Sequence, residues 1–194
     1  MDKQLPIVLA SSSVFRKRQM ESLGLTFSVS SPETDESAKI NETPEQLTQR
    51  LALAKAQKVK REYPLACVIG SDQVCALDGR IYGKPGHVVK AEQQLKAFSN
   101  NCIEFFTALS VLSPEGQCYQ HLDRTRVKFR SLGVAEIKRY IAKEQPLNCA
   151  GSFKVESLGL SLFESVESTD PSALMGLPLI KLCAFLRLSG YQIP

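Results

Sequence analysis

The stretch "VIGSDQVCALDG" (residues 68–79) sets a short apolar run, Val68 and Ile69, against Gly70, Ser71 and Asp72, then turns apolar again from Val74. A carboxylate and an amide, Asp72 and Gln73, thus stand at the end of a core strand. Two readings fit the stretch by itself. Aspartate beside glycine suits an Asx-type turn. A carboxylate that follows a buried strand is also partly desolvated, which raises its pKa toward values useful to a general base unless a cation offsets it.

The flanks say what sheet this strand belongs to. "LPIVLA" (5–10) is a continuous apolar run and reads as a buried strand. "VFRKRQMESLG" (14–24) reads as a helix, with Phe15, Met20 and Leu23 on one face and Gly24 as its stop. "LTFSVSS" (25–31) alternates as a strand does, and "PETDESAKINE" (32–42) is an acidic loop. Thr43, Pro44 and Gln46 make a capping box that opens a helix running to about Arg61 through Leu47, Leu51, Ala54 and Val59. Asp78-Gly79 is a hairpin-type turn signal. "RIYGKPG" (80–86) is a loop and "VVKAEQQLKAFSNN" (88–101) a helix. "CIEFFTALSVL" (102–112) and "CYQHLDRTRVKFR" (118–130) flank the turn "SPEG" as an antiparallel pair. "GVAEIKRYIAKE" (133–144) is helical, "AGSFKVESLG" (150–159) a loop and "LSLFESV" (160–166) a strand. Asp170-Pro171 opens a final helical region that ends at Gly190. Strand–helix alternation followed by a hairpin predicts an α/β fold, with a mixed central sheet flanked by helices. A single domain over 1–194, with two lobes and a cleft between them, is the expected architecture.

Composition narrows the function. With 43% hydrophobic and 23% charged residues, a 194-residue chain buries a proper core. The net charge of +4, from 24 basic and 20 acidic residues interleaved along the chain, is too small and spread out for a nucleic-acid binder but suits a small anionic ligand. No apolar run reaches the ~18–20 residues of a membrane span. "MDKQLPIVLASSS" is too short in its apolar part for a signal peptide and reads as a first strand. The six cysteines form no CxxC pair, which points to reduced thiols in a cytoplasmic protein. The two histidines, His87 and His121, give little support to a histidine metal site. GxxxxGK[ST], GxGxxG after the first strand, HExxH and GxSxG are all absent.

What remains is a set of polar residues at strand ends, where open α/β sheets bind ligands. Ser11, Ser12 and Ser13 lead into a helix N-terminus with Arg16 in its first turn. Hydroxyls, backbone N–H groups and a guanidinium form a natural phosphate cradle there, although a serine N-cap with solvent-facing basic residues has the same pattern. Glu33, Asp35 and Glu36 are hard oxygen donors of the kind that suit Mg²⁺ or Mn²⁺ carried by a polyphosphate, or else a solvated acidic loop. Lys55 sits among alanines and Lys84 in a Gly-Lys-Pro loop. One chemistry unites these parts: hydrolysis of a nucleoside polyphosphate, with cations on the phosphates and a carboxylate activating water.

On these residues the sequence resembles the Maf family of nucleoside triphosphate pyrophosphatases, and within it the YceF-like subgroup that acts on 7-methylguanosine triphosphate. The resemblance runs end to end. It covers "LASSSVFRKR" with its SxSxxR pattern, "PETDES", "LALAKAQKV", "IGSDQVCALDG", "YGKP", "CAGSFKVES" and "DPSALMGLPL". It implies a Maf/ITPase-like fold and cleavage between the α- and β-phosphates, giving a nucleoside monophosphate and pyrophosphate with a divalent cation. Asp72 would be the proton acceptor. Ser11, Ser13, Arg16, Lys55 and Lys84 would hold the triphosphate, and Glu33 would help bind metal. The base-selecting positions fall on Phe15, Gln73 and Glu156. A ring at Phe15 can stack on a purine made cationic by methylation. Glu156 can accept from a guanine N1–H and amino group, while Gln73 offers donor and acceptor.

Phe15 stands where the subgroup often has Trp, and Ala108 where a Thr-Gly step is usual. The resemblance also implies a homodimer. Two other readings stay beside the first: the Maf branch that prefers dTTP and UTP, against which Gln73, Phe15 and Glu156 argue, and a non-enzymatic regulator of cell division and septum formation.

Overall fold

Residues 67–77 form one uninterrupted strand, β3 (Cys67–Leu77), so the strand end expected before Asp72 does not exist. The cause is its neighbour β5 (Cys102–Leu112), which pairs antiparallel with β3 from Val68↔Leu112 to Ala76↔Glu104 without a slip. A continuous partner satisfies the backbone of Gly70–Gln73 whatever their side chains prefer alone. The opposite edge of β3 is broken. There β1 (Ile7–Ala10) pairs parallel with Cys67–Gly70, and β4 (Arg80–Tyr82) pairs antiparallel with Cys75–Leu77. Residues 71–74 therefore have a strand neighbour on one side only. Asp72 lies in that notch, just past the carboxyl end of β1.

The computed structural model describes residues 5–193; the first four residues and Pro194 of the expected domain lie outside the described residues. β2 (Ser28–Ser30) runs parallel to β1, β6 (Cys118–Phe129) antiparallel to β5, and β7 (Phe163–Glu167) antiparallel to β6. The sheet is thus mixed, in the order β2-β1-β3-β5-β6-β7 with β4 beside β3. Five α-helices are found among the described residues: α1 (Val14–Ser22), α2 (Pro44–Glu62), α3 (Val88–Phe98), α4 (Val134–Glu144) and α5 (Leu179–Leu188).

The Thr43 capping box closes as expected, Gln46 N–H donating to the Thr43 hydroxyl and Thr43 N–H to the Gln46 side chain. Four expectations are adjusted. Arg80–Tyr82, in the stretch expected as a loop, form β4, because the Asp78-Gly79 turn folds them back onto Cys75–Leu77. Only Ser28–Ser30 of 25–31 pair as a strand. "LSLFESV" divides into a 3-10 turn, Leu158–Leu162, and β7. The final helix starts only at Leu179, because Pro178 lacks an N–H and bars a helix from running through it.

The long strands β3, β5 and β6 extend through both lobes. At one end, Ile7, Leu9, Ile69 and Leu109 pack under Met20 of α1 and Leu182 and Leu186 of α5. At the other, Phe105, Val127 and Phe129 pack under Leu95 and Phe98 of α3 and Ile137 and Ile141 of α4. Helix α2 lies on the reverse face, where Ala56 and Val59 meet Val68, and Leu47 and Leu51 meet Val74. Phe15 does not join Met20 in the core. Five residues of helix separate the two by about 140° around the axis, and Phe15 is left half-buried on the cleft wall.

Candidate active site

Strand alternation sorts β3 into two chemistries. Val68, Gly70, Asp72 and Val74 face α2, whereas Ser71, Gln73 and Cys75 face the other way. At Gly70 a Cβ would meet Ala52 O at 2.3 Å and Ala56 N at 2.8 Å, so glycine there and the alanines opposite let α2 lie directly on the strand. That approach delivers Lys55, on the same helix face and 6% exposed, to Asp72: Nζ donates to Oδ1 at 2.6 Å. The same ammonium reaches Glu36 Oε1 at 2.5 Å. Asp72 Oδ2 accepts no hydrogen bond among the described residues.

The charges here are set by burial against ion pairing. Burial raises the Asp72 carboxyl above the ordinary aspartate value, and Glu36 pushes the same way; Lys55 and Arg16 offset only part of this. Burial also works to raise Glu36, but the hydrogen bond and charge of Lys55, with Lys84 and Arg16, outweigh it and hold Glu36 low. Two carboxylates in one cleft are thereby pushed apart, one toward holding a proton and one toward charge.

Beyond the end of β1, Ser11 is buried and its hydroxyl accepts from Ser13 N–H (3.1 Å) and Arg16 Nη1–H (3.4 Å). Ser13 N-caps α1, accepting from Arg16 N–H. Arg16 Nε donates to Gly176 O at 2.8 Å, which ties the guanidinium to the 170–176 segment. Burial lowers the Arg16 pKa, while Asp72 and Glu36 hold it up. These groups, with Lys55, Asp72 and Lys84, line a cleft of about 500 Å³, within the ~300–1,000 Å³ range of small-molecule sites.

On the other face of β3 a second hollow adjoins the first, sharing Ser13, Phe15, Arg16, Gln73 and Lys84. Its walls are the rings of Phe15, Phe105 and Phe153 with Val155 and Leu174, and Glu156 stands at its rim, exposed. Gln73 is fixed by its amide nitrogen, which donates to Thr107 Oγ1 (3.0 Å), Ala173 O (3.0 Å) and Leu174 O (3.1 Å). Its carbonyl oxygen accepts no hydrogen bond among the described residues. Gln73 therefore presents an acceptor to this hollow, not the donor-and-acceptor pair expected from its residue type.

Ser11, Ser13, Phe15, Arg16, Lys55, Asp72, Gln73 and Lys84 all border the first hollow, and Glu156 the adjoining one. Glu33 is not brought to either; it is exposed, and its backbone carbonyl accepts from Lys58 Nζ at 2.9 Å. The carboxylate of that loop which does reach the cleft is Glu36. Ala108 is buried, pairs opposite Asp72 and lines neither hollow. Phe105, Phe153 and Asn148 line the hollows without having been marked in sequence. Alternation along β5 could have placed Phe105 beside Thr107, whereas Phe153 and Asn148 lie in a loop with no periodicity to read.

No group of three or more His, Cys, Asp or Glu side chains converges among the described residues. Two carboxylates do converge, Glu36 and Asp72, on the Lys55 ammonium. A pair of hard oxygens, completed by phosphate oxygens and water, fits an octahedral divalent cation. The six cysteines are free, and burial pushes the thiols of Cys67 and Cys75 up. No helix among the described residues is long and apolar enough to cross a membrane.

A family model described as "Maf-like protein" matches residues 6–189. The chain is 49% identical over 188 residues (97% of this chain, 98% of the other) to a 7-methyl-GTP pyrophosphatase from Xanthomonas axonopodis pv. citri. It is 47% identical, with the same coverage, to a protein of that name from Xanthomonas campestris pv. campestris. Among solved structures, a HAM1 protein from Coxiella burnetii superposes with TM-score 0.54 at 15% identity, over 95% of this chain and 100% of that one. The Staphylococcus aureus Ham1 protein gives 0.51 at 18%, over 94% and 98%. At those identities the structural likeness speaks for the fold alone.

Proposed function

The chain belongs to the Maf family, and from that premise and the paired hollows we propose that it hydrolyses 7-methyl-GTP to 7-methyl-GMP and pyrophosphate, acting as one catalytic unit. The observation that carries the reading is the two-sided use of β3. Asp72 meets Lys55 on one face, and Gln73 presents a lone acceptor among aromatic rings on the other.

Ser11, Ser13, Arg16, Lys55 and Lys84 bind the triphosphate. Its negative charge draws Lys55 and Arg16 toward the phosphates. Asp72 Oδ2 takes a proton from water as the water oxygen attacks the α-phosphorus and the bond to the bridging oxygen breaks, so that pyrophosphate departs. Positioned cations stabilise the charge on the leaving group. Glu36 and Asp72 would hold the divalent cation, Mg²⁺ or Mn²⁺, which supplies charge neutralisation on the polyphosphate oxygens. Phe15 stacks on the base, a contact strengthened when N7 methylation makes the purine cationic. The Gln73 oxygen and the Glu156 carboxylate both accept hydrogen bonds, which matches the N1–H and amino donors of guanine. Thymine and uracil offer a single ring N–H and satisfy one acceptor at most. The reaction suits a cytoplasmic enzyme that clears modified nucleotides.

Pyrophosphate release from a panel of nucleoside triphosphates with Mg²⁺ or Mn²⁺ tests this. Turnover should be highest with 7-methyl-GTP. A preference for dTTP or UTP would move the chain to the other branch of the family. Absence of turnover with every triphosphate would leave the cell-division regulator as the surviving reading.

A further inference from the structure

Lys84 and Glu156 lie on separate loops, yet the turn bearing Lys84 is fastened to the loop bearing Glu156 at two points. Gly86 N–H donates to Leu147 O at 3.0 Å. Gly83 O accepts from Gln94 Nε2 at 3.0 Å, and Gln94 Oε1 in turn accepts from Ser152 Oγ–H at 2.5 Å. Among the described residues these are the only hydrogen bonds that residues 83–86 make to other parts of the protein. Both end on residues 147–152. Gln94 (4% exposed, on α3) and Ser152 (fully buried) form the second fastening away from solvent, and both ends of the Gln94 amide are used.

The position costs the backbone something. Ser152 has φ 59°, a left-handed conformation unfavourable for a residue with a side chain. It follows Gly151 in the same region, where a Cβ would already meet Phe105 Cζ at 3.0 Å. The residue there is a serine, where glycine would carry no such strain, and its hydroxyl's one described partner is Gln94.

We propose that Gln94 is a positioning residue that makes the base-reading loop and the Lys84 turn move as one. A base seated against residues 148–156 thereby sets the Lys84 ammonium on the triphosphate, and a base that fits badly leaves it displaced. Selection then acts on the phosphate-binding step as well as on base affinity. This rests on the assignment of Lys84 to the triphosphate and of residues 148–156 to the base.

The test divides the substrate into its halves and reads their mutual effect, which a purely structural role would not move. Calorimetry measures 7-methylguanosine and inorganic tripolyphosphate, each alone and in the presence of the other, with the full-length protein. Wild type should bind tripolyphosphate about fivefold or more tightly when the nucleoside is present, and the reverse by the same factor. In Gln94→Leu that factor should fall below about twofold, while each half alone binds within about threefold of wild type. Ser152→Gly keeps α3 intact and eases the backbone, so it should lose the coupling even if Gln94→Leu fails to fold. Coupling that survives in Ser152→Gly, or that is absent from wild type when both halves bind, overturns the proposal. If neither half binds wild type, the functional reading beneath it falls as well.

Discussion

Lys55 Nζ stands 2.6 Å from Asp72 Oδ1 and 2.5 Å from Glu36 Oε1, so a single ammonium joins the middle of β3 to the acidic loop. A buried carboxylate beside a cation is expected to be held low. Here desolvation wins, and Asp72 is raised. That balance has consequences for pH, stability and metal binding.

Ionised Asp72 is the working form, so kcat/KM for 7-methyl-GTP should climb with pH through a limb above the ordinary aspartate value of ~3.9. Lys55→Met removes the largest attraction opposing desolvation, and the limb should move to higher pH. A pH–rate profile of both proteins checks this, and an unmoved limb would show that another group sets it.

The same shift has a sign for stability. Because the folded-state pKa of Asp72 is raised, the folded protein keeps this proton to higher pH than the unfolded chain. Its favourable contribution is complete below the unfolded value and is lost as pH rises through the folded one. Asp72→Asn should therefore melt above wild type at about pH 8, with the gap closing toward about pH 4. Thermal melts across that range decide it.

Glu36 and Glu33 separate cleanly. Glu36→Gln should raise the Mn²⁺ concentration needed for half-maximal activity by about tenfold. Glu33→Gln, at an exposed position away from the cleft, should change it less than about twofold. Metal titrations of the two variants measure this, and the reverse order would restore Glu33 as the ligand.

Gly70→Ala puts a Cβ 2.3 Å from Ala52 O, so α2 must lift from β3. Overpacking of this kind costs about 1–3 kcal/mol, read by urea denaturation. Lys55 should retreat from Asp72 with the helix, so kcat should fall as well. A variant as stable and active as wild type would show that the helix contact does not place Lys55.

Most of the sheet was legible, because 5–10 is a continuous apolar run and the runs at 102–112 and 118–130 flank a turn signal, all local features of the chain. The capping box at Thr43 placed α2 for the same local reason. The continuity of β3 was not legible. Gly70, Ser71 and Asp72 read locally as a break, and only the unbroken ladder to β5 overrides them. Residue types marked Asp72 and the cation set, and the resemblance marked Gln73 and Glu156. The orientation of the Gln73 amide depends on carbonyls a hundred residues away in sequence, at Ala173 and Leu174, which no local pattern reports. Glu36 in place of Glu33 is likewise a matter of how one loop lies on α2.

The central claim is that Asp72 activates water for attack at the α-phosphorus of 7-methyl-GTP. Its most direct test is single-turnover hydrolysis by wild type and Asp72→Asn at saturating substrate, with both products quantified. Wild type should give equal amounts of 7-methyl-GMP and pyrophosphate, and Asp72→Asn should be slower by about 10²–10⁴-fold with substrate still bound. A rate within a few fold of wild type in Asp72→Asn, or 7-methyl-GDP and phosphate as products, would contradict it.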